Sequence, residues 1–79
     1  MYDRLRAQTP PPTAEGWQSG VVRRVDRREA RYVVTVAPDD GNRSVEVTVS
    51  DAVYDLFTGR LDRAVETPAD VAGATVWFK

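Results

Sequence analysis

The hydrophobic pattern of the chain is dominated by valines that alternate with other residues between positions 32 and 50. Thirteen of the 79 residues are valine and none is isoleucine. Because successive side chains of a strand point to opposite faces, this alternation predicts two strands, residues 32 to 37 and 43 to 50. The segment between them contains Asp40, Gly41 and Asn42, residue types that supply the positive φ angles of tight turns. The pattern therefore predicts a long β-hairpin.

A strand is also predicted before this hairpin, over residues 21 to 28. Its valines do not keep one phase, because Val22 and Val25 are three positions apart and arginines lie between them. An odd spacing within a strand is typical of a β-bulge or of an edge position. We expect one of the two at this point.

After the hairpin the hydrophobic spacing changes from two to three and four, which predicts a short helix over residues 50 to 57. Ser50 or Asp51 is placed to cap its start, and Gly59 is placed to end it. The apolar side chains at this spacing are Val53, Leu56 and Phe57.

Two more strands are expected after the helix, at residues 60 to 66 and 75 to 78, separated by a turn at Thr67 and Pro68. This order predicts an all-β fold: a small five-stranded barrel of the SH3 or OB type, with one short helix between strands 3 and 4. The side chains expected to point inward are Val34, Val36, Val47, Val49, Leu56, Val76 and Phe78.

Residues 1 to 16 differ in composition from the rest of the chain. Three consecutive prolines at positions 10 to 12 favour extended structure and supply no hydrophobic face. We expect a flexible Pro-rich leader, followed by one small domain at residues 17 to 79. Alternatively, a helical turn over residues 2 to 7 would place Tyr2 and Leu5 on one side, where they could dock on the domain or on a neighbouring subunit.

The composition excludes several kinds of chemistry. The chain has no Cys and no His, so disulfides, thiolate metal sites and the usual general base near neutral pH are absent. Asp39, Asp40 and Asn42 cluster in the hairpin loop, but they supply fewer oxygens than Ca²⁺ needs. Asp51 and Asp55, one helical turn apart, are interpreted as residues that favour the positive end of the helix rather than as paired catalytic acids. We expect no enzyme activity, no catalytic residue, no cofactor and no metal.

Five arginines lie between residues 20 and 32 with only Asp26 and Glu29 to balance them. On a small barrel, a basic strip beside an aromatic side chain such as Trp17 or Tyr32 is typical of single-stranded nucleic-acid binders. Against this, the net charge is −1 and the pI is about 5.3, so a solvated face or a face that pairs with an acidic partner is the other interpretation. The residues assigned to nucleic acid under this alternative are Arg23, Arg24, Arg27, Arg28 and Trp17.

Trp77 alternates with Val76 and Phe78, so it is expected to point outward if those two point inward. The leader or a second subunit could cover it, or it could close one end of the barrel against Trp17. Because Trp, Tyr and Arg most often anchor interfaces, we select Trp77, Tyr32 and Arg31 as protein-contact residues.

The succession of the 32-to-36 valine strand, an Asp-Gly turn, the 45-to-50 strand, Tyr54 in a short helix, Gly59 and a closing aromatic strand at Trp77 resembles uncharacterised bacterial and archaeal small β-barrel families. The resemblance covers residues 20 to 79 and implies the barrel fold without implying an activity. Such families often have Gly-Asp where this chain has Gly59 followed by Arg60.

The role expected from the sequence is a non-catalytic protein-interaction or structural module that forms a homo-oligomer. A nucleic-acid-binding barrel is the first alternative, and a phage accessory or minor virion protein is the second. Ten arginines against one lysine, with no isoleucine, indicate a high-GC bacterium or its phage as the source. The charged amino terminus and the lack of an apolar run of about 20 residues predict a cytoplasmic protein that does not enter membranes.

Overall fold

The computed structural model describes residues 2 to 13, 15 to 61 and 63 to 79. These form one five-stranded antiparallel sheet, one α-helix and one 3₁₀ helix. In chain order, the elements have these bounds: β1 Leu5–Arg6, β2 Gln18–Arg28, β3 Arg31–Pro38, β4 Val45–Ser50, α1 Asp51–Gly59, the 3₁₀ helix Pro68–Val71 and β5 Thr75–Phe78. The spatial order of the strands in the sheet is β1-β5-β2-β3-β4.

The predicted hairpin is confirmed as β3 and β4, which pair with Val34 opposite Val47 and Val36 opposite Val45. Val34, Val36 and Val47 are each 0% exposed, so the alternating valines cover the core face as expected. Gly41 in the connecting loop has a φ of 83°, which lies in the region that glycine adopts most easily.

The predicted bulge is confirmed in β2, the strand that pairs with both β3 and β5. The register against β3 shifts between Val22 and Arg24, so one extra residue, Arg23, lies in β2. The shift returns Val25 to the core face, where it opposes the buried Val34. This is why two valines at an odd spacing both face the interior.

Helix α1 is confirmed in position, but its inward face differs from the expected one. Ser50 caps the helix, because its Oγ accepts a hydrogen bond from the Val53 amide at 3.3 Å. The buried helix residues are Tyr54 and Phe57. The expectation that Leu56 points inward is wrong, because its side chain is 55% exposed.

The fourth strand expected at residues 60 to 66 is also wrong. The described residues of that segment form loop and bends, and Asp62 lies outside the described residues. The physical reason is visible at its end: the Asp70 carboxylate accepts hydrogen bonds from the amides of Glu66 and Thr67 at 2.9 and 3.0 Å. These amides are therefore held by a side chain rather than by a neighbouring strand.

The fifth strand comes instead from the amino terminus. In β1, Leu5 pairs with Phe78 and Arg6 with Trp77 of β5, so the helical turn considered for residues 2 to 7 is a strand at Leu5–Arg6. Leu5 is only 7% exposed, and Tyr2 forms an isolated bridge to Val47 on the opposite edge strand. We call residues 2 to 6 the strap. The flexibility of residues 1 to 16 stays a prediction.

The sheet is not closed into a barrel. A single bridge at Tyr2, rather than a strand ladder, links the strap to β4, so the barrel geometry expected from the sequence is not confirmed. What the structure shows is a mostly β fold with five antiparallel strands and one short helix. In the part of the chain that is described, no helix has both the length and the apolar composition needed to cross a membrane.

The core lies between the inner face of the sheet, helix α1 and the 3₁₀ helix. Phe78 and Val76 of the closing strand are 0% exposed, and so is Val71 of the 3₁₀ helix. The Tyr2 ring meets the Phe78 ring edge to face, with centroids 5.3 Å apart. The strap is therefore part of the packing around the last strand.

Candidate protein-interaction surface

A groove runs between the strap side of the sheet and helix α1. We call it the β1–α1 groove. It is lined by Leu5, Arg6, Ala7, Gln8, Val53, Leu56, Phe57 and Arg60.

The spacing of residues along α1 explains the apolar wall of this groove. Val53, Leu56 and Arg60 are three and then four positions apart, so they follow one side of the helix. Val53 is 37% exposed and Leu56 is 55% exposed, and they are the large apolar side chains that remain exposed among the described residues. Leu5, only 7% exposed, lies on the opposite wall, so the exposed apolar strip consists of Val53 and Leu56.

The charges of the β1–α1 groove have one sign. Its charged lining residues are Arg6 and Arg60, and no acidic residue in the described part of the chain lines it. The Arg6 guanidinium also stands over the Trp17 ring, 5.7 Å from the ring centroid. An apolar strip with a positive rim is suited to an apolar segment that carries acidic side chains.

Strand β1 is the edge of the sheet on this side. The amide of Arg4 donates to the carbonyl of Lys79 at 3.0 Å, and the amide of Lys79 donates to the carbonyl of Arg4 at 3.1 Å. In an antiparallel ladder the next pair, Leu5 with Phe78, then directs the Leu5 amide and carbonyl away from β5. The open edge of the sheet thus lies along the groove.

The two tryptophans do not pack against each other as one interpretation expected. Trp17 has two cationic neighbours, Arg6 and Lys79, whose Nζ lies 5.0 Å from the ring centroid. The aromatic ring pairs among the described residues involve Tyr2, Tyr32, Tyr54, Phe57 and Phe78 and neither tryptophan. Trp77 opposes Arg6 and Ser19 on the outer face of the sheet and is half-buried.

The three predicted protein-contact residues do not share one patch: Trp77 and Arg31 lie on the outer face in different strands, and Tyr32 lies on the core side. Tyr32 belongs to the core side, where its ring stacks on Tyr54 with centroids 3.8 Å apart. Arg31 is exposed on the outer face at the β2–β3 end of the sheet, opposite Arg28. One flat partner surface would not meet all three. Their role in binding stays a prediction.

The arginines predicted for nucleic acid also separate between faces. Arg24 and Arg28 point to the outer face, whereas Arg27 opposes Tyr32 on the core side and stands 6.0 Å from the Tyr32 ring centroid. Arg23 lies in the bulge, and Arg24 forms an ion pair with Asp26 at 3.2 Å. Trp17 precedes the opposite end of β2, which at ~3.3 Å per residue places it roughly 20 Å from Arg23 and roughly 30 Å from Arg27.

The acidic side chains of the hairpin loop accept hydrogen bonds from other groups of the same chain. An Asp39 carboxylate oxygen accepts from the Ser19 hydroxyl at 2.7 Å. Asp40 accepts from both the amide and the side-chain nitrogen of Asn42 at 2.9 Å. These carboxylates stabilise the turn and its attachment to β2.

Tyr54 carries a polar group that lacks a hydrogen-bond partner among the residues the structure describes. Its hydroxyl is buried and forms no hydrogen bond with the described residues, and the whole residue is 5% exposed. Burial raises the pKa of the phenol, and the neighbouring Tyr32 and Asp55 raise it further. This hydroxyl therefore stays protonated at neutral pH.

The residues of the β1–α1 groove are missed by reasoning from the sequence. The apolar spacing assigns Leu56 to the core. In a helix of nine residues, Leu56 shares one apolar face with Val53, and Phe57 shares an overlapping face with Tyr54, so the spacing alone does not show which face is buried. Reasoning from the sequence assigns Leu5 to the leader because prolines follow it, although the alternative in which Tyr2 and Leu5 dock on the domain does place Leu5 against the rest of the chain. One signal is present: Tyr2 and Leu5 are the apolar pair of an otherwise polar segment.

Comparisons with known proteins identify a family and no activity. No curated protein and no solved structure matches the chain. The expectation of an uncharacterised domain family is confirmed by a match that covers the whole sequence. The chain belongs to a family of unknown function, DUF7861, whose model matches residues 1 to 79.

Proposed function

We propose that the chain is a non-catalytic protein-interaction module whose partner docks in the β1–α1 groove. The observation that carries the proposal is the exposed apolar strip of α1, with Leu56 55% exposed and Val53 37% exposed one helical turn away. Apolar side chains grouped along a groove are typical of peptide-binding and protein-binding surfaces. The lack of His and Cys in the chain supports the non-catalytic part.

The chemistry of the groove selects the class of partner. Leu56 and Val53 offer exposed apolar contact, and Arg60 supplies a positive charge of the lining, with the Arg6 guanidinium near the groove's outer side over the Trp17 ring. A partner segment with two or three large apolar residues flanked by Asp or Glu fits both features. A basic segment would meet like charges, which disfavour association.

A library of random peptides displayed on phage tests this proposal even though the partner is unidentified. We expect selection on the intact chain to enrich peptides that combine Leu, Ile or Phe with Asp or Glu. Synthetic copies of these peptides should bind at least tenfold more weakly to Leu56→Glu, because the substitution replaces an apolar contact with a like charge. Enrichment of basic peptides, or equal binding to Leu56→Glu, would contradict the proposal.

Two matched variants separate the groove from the rest of the surface. Ala52→Glu adds the same charge at an exposed position of the same helix outside the groove, so it should leave peptide binding unchanged. Arg60→Gln removes a groove charge and Arg43→Gln removes an exposed charge elsewhere. Of these two Arg→Gln variants, only Arg60→Gln is expected to weaken peptide binding and to reduce the salt dependence of that binding.

The nucleic-acid alternative has its own measurement. Titration with a single-stranded oligonucleotide at about 50 mM salt favours phosphate contacts. A salt-sensitive quench of Trp fluorescence would support nucleic-acid binding through the arginines of β2 rather than protein binding in the β1–α1 groove. The separation of Arg24 and Arg27 onto two faces leads us to expect no such quench.

We also propose that the chain self-associates. A chain of 79 residues without Cys has no disulfide to supplement a small core, and association is one means by which small domains gain buried area. Sedimentation equilibrium at micromolar concentrations should give a mass above the 8.8 kDa of one chain. A constant mass of one chain across that range would contradict this proposal and leave the groove proposal in place.

A further inference from the structure

The strap contacts parts of the chain that are remote from it in sequence. Its Tyr2 carbonyl accepts a hydrogen bond from the Thr48 amide of β4 at 3.0 Å. Its other end pairs with β5 through Leu5 and Phe78. The strap therefore bridges β4 and β5, and both strands are distant from it along the chain.

The connection from the strap to β2 is long. In the described residues between positions 7 and 17 there is no helix or strand, and positions 10 to 12 are consecutive prolines. Fully extended, such a linker spans about 30 Å at ~3.1 Å per residue, which is close to the 30 Å long axis of the molecule. A linker of this length is compatible with docking of the strap on β5 of a second copy.

Proline-rich linkers resist turning back on themselves, because each ring fixes φ and favours an extended course. In the closed chain the linker has to turn, and the structure places a turn at residues 12 and 13. Docking on a second copy would use the same strap contacts without requiring that turn. Exchange of an identical element between copies is a low-cost route to dimers.

We infer that the chain self-associates by exchanging the strap, so that residues 2 to 6 of each copy pair with β5 and β4 of the other. This inference rests on the proposed self-association and gives it a structural means. In the exchanged dimer, the strap of one copy and helix α1 of the other would line each β1–α1 groove. Peptide binding and dimerisation would then share one surface.

Engineered cysteines test the exchange, since the chain contains no Cys. Arg4 and Lys79 exchange two backbone hydrogen bonds at 3.0 and 3.1 Å, and such pairs have Cα atoms about 5.5 Å apart. That separation suits a disulfide. The double variant Arg4→Cys/Lys79→Cys should form an intrachain disulfide when oxidised at about 10 nM, far below the micromolar range in which association is expected, because intramolecular closure then competes with little bimolecular pairing.

The decisive experiment uses two single variants in one mixture. Arg4→Cys and isotope-labelled Lys79→Cys are refolded together at about 1 mM, a concentration comparable with the effective concentration of a short linker, and are then oxidised. Exchange predicts a disulfide-linked heterodimer between position 4 of one copy and position 79 of the other. Mass spectrometry under non-reducing conditions identifies it.

A second mixture measures random collision. Arg43→Cys with Lys79→Cys places one cysteine on the exposed hairpin loop, outside the strap. We expect at least five times more heterodimer from the Arg4→Cys mixture than from this one. Equal yields from the two mixtures would overturn strap exchange. Failure of the double variant to form its intrachain disulfide at low concentration would also overturn it, because Arg4 would then not pair with Lys79.

These outcomes are separable from the oligomeric state. A sedimentation mass above 8.8 kDa together with equal heterodimer yields would retain self-association and reject the strap as its means. A heterodimer excess that is absent at about 10 nM and present at about 1 mM would support exchange, because a bimolecular process depends on concentration.

Discussion

Gly20 shows how one residue can be required by the sheet. A Cβ atom at this position would lie 2.5 Å from the Ala37 carbonyl oxygen and 2.7 Å from Cγ1 of Val36. Because backbone and a buried valine yield only at a cost, Gly20→Ala is expected to lower the free energy of unfolding by about 1 to 3 kcal/mol. Urea denaturation followed by Trp fluorescence measures the change.

Gly59 is the matched control for this substitution. It lies in α1, and an added Cβ would meet nothing within 4 Å. Ala favours helical backbone more than Gly does, so Gly59→Ala should raise the free energy of unfolding by about 0.5 to 1 kcal/mol. Equal effects of the two substitutions would contradict the close approach at residue 20.

Tyr54 presents the opposite case, a buried hydroxyl without a hydrogen bond in the described part of the chain. Since its hydroxyl has no partner among the described residues, Tyr54→Phe should raise the free energy of unfolding by about 1 kcal/mol, the lower part of the cost of burying such a group. A loss of stability in the same denaturation experiment would show that the hydroxyl is bonded.

The pH dependence of Tyr54 has a defined sign. Because its pKa is raised in the folded protein, the unfolded phenol ionises first, and the native state loses relative stability as the pH rises above about 10. Tyr54→Phe should therefore lose less stability than the native chain between pH 9 and pH 11. Parallel stability curves over that range would contradict the assigned shift.

At the scale of elements, the features that depend on local pattern are predictable. The alternating valines indicate the β3–β4 hairpin and its register, since a slip by one residue would turn Val34 and Val36 toward solvent. The odd spacing of Val22 and Val25 indicates the bulge in β2. In each case a short stretch of sequence contains the whole physical reason.

The inward face of α1 is not predictable in the same way. Val53, Leu56 and Phe57 share a helical spacing with Tyr54, and the side that is buried depends on the angle at which the helix crosses the sheet. Tyr54 is drawn inward by its stacking on Tyr32 at 3.8 Å. Leu56 is thereby turned outward, which creates the apolar wall of the candidate site.

In the segment before β5, a carboxylate takes the place of a neighbouring strand. Asp70 accepts the hydrogen bonds of backbone amides that would otherwise pair in a sheet. Amide hydrogen bonds from Thr67 and Glu66 lower the pKa of Asp70. The stabilisation is therefore present above the unfolded pKa near 4 and is lost as the pH falls through the folded value. Asp70→Asn should reduce the urea midpoint at pH 6 and have less effect at pH 2.5, and an equal effect at both would contradict the role of the charge.

At the scale of the whole molecule, the number of strands is predictable from the sequence and the origin of one is not. The segment expected to form the fourth strand is loop over its described residues, while Leu5–Arg6 pairs with β5. Pairing between residues more than 70 positions apart leaves no local pattern in sequence. The β1–α1 groove depends on that pairing, so it is not predictable either.

The strap also provides the sharpest test of how the first residues behave. If they are docked as the structure shows, Leu5→Ala removes a side chain that is 7% exposed and should lower the free energy of unfolding by about 2 kcal/mol or more. If residues 1 to 16 are a flexible leader, the same substitution should have almost no effect. Thr9→Ala, at an exposed position of the linker, serves as the control in the same urea titration.

The result bears on both proposed surfaces, because Leu5 lines the β1–α1 groove and belongs to the strap. A loss of stability confined to Leu5→Ala would place the strap on the sheet in solution, as both proposals require. Unchanged stability would leave Leu56 and Val53 without an opposite wall and would remove the element that strap exchange transfers between copies.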